Sequence, residues 1–62
     1  MKLKDYIHTR NFTITEFAFL VGITPTALHN YLSKRRKPKL DIAQRIIEKT
    51  RGKVTLKDLL DD

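Results

Sequence analysis

The chain has 62 residues, with 13 Lys and Arg against 7 Asp and Glu, a net charge of +6 and no cysteine. A chain this short is expected to form one domain, residues 1–62, near the lower size limit for independent folding, without room for the deep cleft of an enzyme. The lack of cysteine excludes a disulfide framework and a thiolate metal site, and the pI of about 10.0 suits a polyanionic partner. Nucleic acid comes first among such partners and an anionic membrane surface second, with plain solubility charge as the bland alternative.

No apolar run approaches the roughly 20 residues that cross a bilayer. The opening MKLKDYIHTR carries charge where a signal peptide needs an apolar core. The expected location is the cytoplasm.

In chain order, Leu3, Tyr6 and Ile7 fall at i, i+3, i+4 and predict a first helix. Asn11 offers a left-handed closing position, and Phe12 a staple ahead of the next helix. Thr13-Ile14-Thr15-Glu16 has the form of a capping box, in which a Thr hydroxyl and a Glu carboxylate each take an exposed amide. The second helix, about 14–21, places Phe17, Ala18 and Val21 inward and stops at Gly22, which can take positive φ. Thr24 then caps a third helix, about 25–33, with Pro25 at its first position, where a missing N–H costs nothing. Two helices joined only by Gly22-Ile23-Thr24 meet at a steep angle, the geometry of a helix-turn-helix.

Pro38 closes the basic run KRRKPK. Leu40, Ile42, Ala43, Ile46 and Ile47 predict the apolar face of a fourth helix, with Asp41 and Arg45 as an exposed i, i+4 pair. Gly52 ends it, and Thr55-Leu56-Lys57-Asp58 predicts a further capped turn, with Leu56, Leu59 and Leu60 packed on the core. The expected class is all-α: a compact bundle of about five short helices around a central helix-turn-helix.

The third helix divides cleanly by face. Leu28, Tyr31 and Leu32 form its inward side, whereas Thr26, His29, Asn30 and Ser33 form a stripe that is polar and uncharged throughout. An ordinary solvated face carries Lys and Glu. Short hydrogen-bonding side chains are what base edges in a major groove require. The cations that follow, Lys34, Arg35, Arg36, Lys37 and Lys39, suit phosphates, which supply affinity and register without reading sequence. The two histidines, His8 and His29, belong to different helices, and neither metal nor cofactor is expected. The Ser and Thr hydroxyls lack a His–Asp partner, so no enzyme is expected either. KRRKPK also fits a nuclear-localisation pattern, but its place between two helices favours the clamp.

The stretch TEFAFLVGITPTALHNYLSKRRKP resembles the helix-turn-helix of Cro/cI-type phage and bacterial repressors. Thr15-Glu16-Phe17-Ala18 matches the start of the first motif helix, Val21-Gly22-Ile23-Thr24 the turn, Leu28 the buried aliphatic of the recognition helix, and Leu40 to Ile47 the support helix. LKDYI and the closing GKVTLKDLL are similar to small Cro-like antitoxin-type regulators of the YdaS kind. The resemblance implies a lambda-repressor-like fold and a sequence-specific regulator of transcription, a repressor, in the bacterial cytoplasm. It further implies a homodimer on double-stranded DNA. The base-reading set is then Pro25, Thr26, His29, Asn30 and Ser33, with Pro25 against a thymine methyl. Thr13, Thr15, Thr24, Tyr31, Lys34, Arg35, Arg36, Lys37 and Lys39 face phosphate.

The sequence departs from the family pattern at several positions. Ile14 and Pro25 stand where relatives often carry Gln, so those two polar contacts are not carried over. Lys34 replaces the usual Gly after the recognition helix and is strained if its φ is positive. Phe19 and Leu20 replace polar residues; they either cover the first helix or form a surface for self-association or a protein partner. The alternatives to a repressor are a protein-interaction module, such as an antitoxin using Phe19 and Leu20, and a non-specific or single-strand nucleic-acid binder. Few exposed aromatics argue against the last. The segment KVTLKDLLDD is capped like a helix, which leaves the dimer route open.

Overall fold

The computed structural model describes residues 1–60 in five helices: α1 (Leu3–Thr9), α2 (Ile14–Val21), α3 (Pro25–Leu32), α4 (Leu40–Lys49) and α5 (Leu56–Leu60). Asp61 and Asp62, which close the segment KVTLKDLLDD, lie outside the described residues. The described residues contain no strand, in keeping with the all-helical reading.

Side chains start three of the helices. Thr13 Oγ1 accepts from the Glu16 amide at 3.0 Å, and Glu16 Oε1 accepts from the Thr13 amide at 2.9 Å, completing a capping box before α2. Thr24 Oγ1 accepts from the Ala27 amide at 3.1 Å, with Pro25 at the first position of α3. Before α5, Asp58 Oδ2 accepts from the Thr55 amide at 2.9 Å, and Thr55 Oγ1 from the Asp58 amide at 3.2 Å.

Helices α1 to α4 all end alike, with a left-handed residue and a paired return of two amides to the last turn. The left-handed residues are Asn11 (φ 57°), Gly22 (φ 83°), Lys34 (φ 65°) and Arg51 (φ 55°). The returning amides of the residues that follow them bond to the carbonyls five positions back: Phe12 to Ile7, Ile23 to Ala18, Arg35 to Asn30 and Gly52 to Ile47, at 2.9–3.1 Å. Only Gly22 occupies such a position without a Cβ penalty. Lys34 lacks the short polar side chain that lets Asn11 adopt this conformation, and its cost is about 1 kcal/mol.

The core lies where α2 packs on α3 and α4. Phe17, Leu28, Ile46 and Val54 are fully buried at its centre. Ala18 and Ala43 are buried too, and their small side chains let the helix backbones approach closely. Helix α1 is fastened by rings: Tyr6 and Phe12 each meet Phe17 edge-on, at centroid separations of 6.1 and 5.4 Å. Thr50 is the only buried polar side chain among the described residues. Its Oγ1 donates to the Ile47 carbonyl at 3.1 Å and accepts from the Val54 amide at 3.3 Å, tying α4 to the turn after it.

Four details differ from the sequence reading. Leu40 has the spacing of the α4 apolar face but is 63% exposed, because it starts the helix beyond the edge of the core. Leu59 is buried, whereas Leu56 and Leu60 stay exposed, since a helix of five residues has room for little inward face. Asp41 and Arg45 do not pair; the only ion pair among the described residues joins the Met1 ammonium to Asp58 at 2.9 Å. Arg45 reaches α2 instead, with Nη1 lying 3.6 Å from where a Cβ on Gly22 would sit.

Two cap carboxylates make the fold acid-sensitive. Asp58 is held at about 2, below its ordinary 3.8, chiefly by the Thr55 amide and next by the Met1 ammonium. The Thr13 amide likewise lowers Glu16 from 4.5. Because both folded values lie below the unfolded ones, this stabilisation is complete above the unfolded values and is lost as pH falls through the folded ones. For Asp58 the loss runs from about 3.8 down to about 2. Asp58→Asn should therefore flatten the fall in melting temperature across that window. An acid profile identical to that of the wild type would show that the cap contributes no linked stability.

Candidate nucleic-acid interface

Helix α3 presents the stripe outward. Leu28 is fully buried beneath it, Tyr31 and Leu32 are half-buried at the flanks, and Thr26, His29 and Ser33 are exposed. Asn30 is half-buried, so it is the least accessible member of the stripe. Pro25 is exposed at the head of the helix, with no N–H to satisfy.

The basic turn is anchored to the same helix chiefly at one atom, with the Lys34 amide also bonded to the Tyr31 carbonyl at 3.3 Å. The backbone carbonyl of Asn30 accepts from the Arg35 amide at 3.0 Å and the Arg36 amide at 3.3 Å. It also accepts from Ser33 Oγ at 3.3 Å. The chain thus folds back over the end of α3, and the left-handed Lys34 makes that reversal possible. Pro38 is buried and fixes the exit, while Lys34, Arg35, Arg36, Lys37 and Lys39 are all exposed. No carboxylate among the described residues neutralises Arg35, Arg36, Lys37 or Lys39. A turn held by backbone bonds leaves the side chains of Arg35 and Arg36 available for a partner.

At the start of α2, Thr13 and Thr15 are exposed. The oxygens of Thr13 and Thr24 accept the cap bonds, which leaves each hydroxyl hydrogen to donate outward. Ile14 is half-buried against the core. Glu16 is the one acidic group in this first turn, and the cap bonds from the Thr13 amide hold it at the helix start.

Phe19 is 89% exposed and Leu20 42%, so Phe19 does not cover α1. The inward side of α2 is taken by Phe17, Ala18 and Val21, which leaves Phe19 on the outward side.

One feature of the surface was missed by the sequence reading. A shallow groove runs between α1 and α3, with Lys4, His8, His29 and Ser33 along its lining and Ile7, Phe12, Ile14 and Leu32 as its apolar floor. It joins side chains of α1 to the outward stripe of α3. The available signal was the i, i+4 spacing of Lys4 and His8, on the flank of α1 next to Ile7.

No helix among the described residues is long and apolar enough to cross a membrane. No curated protein and no solved structure shows a significant match to the chain. A family model described as helix-turn-helix matches residues 3–57, from the first residue of α1 into α5. With that match spanning nearly every described element, the chain belongs to the Cro/cI-type helix-turn-helix family of DNA-binding regulators.

Proposed function

We propose that this protein is a sequence-specific transcription regulator of Cro-like type, acting as a repressor, which seats α3 in the major groove. Thr26, His29, Asn30 and Ser33 face base edges, and Pro25 faces a thymine methyl. Thr13, Thr15, Thr24 and Tyr31 meet phosphates, with Lys34, Arg35, Arg36, Lys37 and Lys39 as the principal clamp. The observation that carries this reading is the Asn30 carbonyl, which ties the uncharged stripe to the turn that bears Arg35 and Arg36. Base readers and phosphate clamp then keep a fixed spacing, which a register on DNA requires.

Size supports a dimer on DNA. The body measures 22 × 21 × 19 Å, whereas half-sites one helical turn apart are separated by about 34–36 Å. One copy reads one half-site, so a two-fold operator takes two. A contact between copies through Phe19 and Leu20 is favoured by the exposure of Phe19, and a protein partner on the same residues is the alternative.

Selecting bound duplexes from a random pool tests the proposal. A palindromic consensus with half-sites one turn apart is expected. A single unpaired half-site would refute the dimer, and a pool that stays random would refute sequence-specific reading.

A further inference from the structure

We infer that Lys4 and His8 of α1 form a second phosphate-contacting edge of the DNA interface, beside α3. The inference rests on the reading of α3 as the helix that enters the groove. Lys4 and His8 are exposed and stand about one helical turn apart, about 6 Å along the axis of α1. They line the same groove as His29 and Ser33, so a duplex seated on that stripe passes directly beside them.

The occupant of the groove follows from charge and continuity. Its lining carries an ammonium and two imidazoles against a single carboxylate, Asp5, in a chain whose net charge is +6. A polyanionic strand matches that balance. A lysine ammonium donates to phosphate oxygens as a point charge. A histidine has at least one ring N–H to donate in either protonation state.

Ile14 explains why α1 takes this role. It heads α2 at the edge of the groove, but its side chain is apolar and packs on the core, so it has no polar atom to offer a phosphate. Two basic side chains that share the groove with it, Lys4 and His8, belong to α1. Together with the basic turn, Lys4 and His8 would give the reading helix phosphate contacts from two separate segments of the chain.

Asp5 sharpens the test because it lies in the same groove with the opposite charge. The full chain and a random-sequence duplex are used, with folding checked by circular dichroism. Lys4→Gln should reduce the slope of log affinity against log salt by about one. The wild-type advantage over this variant should accordingly shrink about three- to fourfold between 50 and 200 mM salt. His8→Gln should weaken binding to all duplexes alike, and Asp5→Asn should strengthen it. Lys49→Gln removes the same unit charge from the far end of α4 and should leave the slope close to wild type. If Lys4→Gln changes the slope no more than Lys49→Gln does, while Arg36→Ala lowers it, the α1 edge is refuted and the reading of α3 stands. If Arg36→Ala also leaves it unchanged, both are overturned.

Discussion

Phe17→Ala is expected to remove most of the chain's stability at 25 °C. Phe17 is fully buried and receives the rings of Tyr6 and Phe12, so it joins α1 to α2 as well as filling the centre of the core. Truncating a buried Phe to Ala costs about 3–5 kcal/mol through lost transfer energy and the cavity left behind. At roughly 0.05–0.15 kcal/mol per residue, a chain of this length has only about 3–9 kcal/mol in all. Far-UV circular dichroism and urea titration measure the result. Phe19→Ala, two positions along the same helix at 89% exposure, should change stability by less than about 0.5 kcal/mol. Equal losses at the two positions would mean that the packing of α2 has been assigned to the wrong face.

The second large effect concerns binding. Replacing Arg35 and Arg36 together by alanine should weaken affinity for every duplex and lower the salt slope by about two, one for each phosphate contact. The fold should be retained, because the turn is held by the amides of these residues on the Asn30 carbonyl, and alanine keeps those amides. Thr26→Ala and Asn30→Ala should act differently, leaving the salt slope in place and relaxing preference at individual base positions by about 1–3 kcal/mol each. Asn30→Ala is informative because it removes the side chain and keeps the carbonyl that organises the turn. Binding assays against the selected duplex and a scrambled one, each across a salt series, separate the two classes. A pair of arginine substitutions that spared affinity for the scrambled duplex would show that the basic turn lies off the DNA.

The two predictions draw on different kinds of information in the chain. Where helices start and stop is local chemistry. The cap at Thr13 and Glu16, the proline at the head of α3 and the reversal at Gly22 involve groups within about five residues of one another, and each was legible in the amino-acid order. The outward stripe on α3 was equally legible, since a helical period assigns Leu28 and Thr26 to different sides without reference to any neighbour. The family match over residues 3–57 bears out the helix-turn-helix at that level.

Tertiary structure decided what lies over each side chain. Leu40 and Ile46 share an apolar character and a helix, but only Ile46 has another element above it. Arg45 stands at pairing distance in sequence from Asp41, yet it reaches the end of α2, because the crossing of α2 and α4 brings Gly22 within its range. The groove joining Lys4 and His8 to His29 depends on how α1 settles against α3, about twenty residues away along the chain. Hydrogen bonds that span one helical turn can be read from residue order alone. Contacts between separate helices depend on how their faces fit, and pattern within a single helix does not contain that fit.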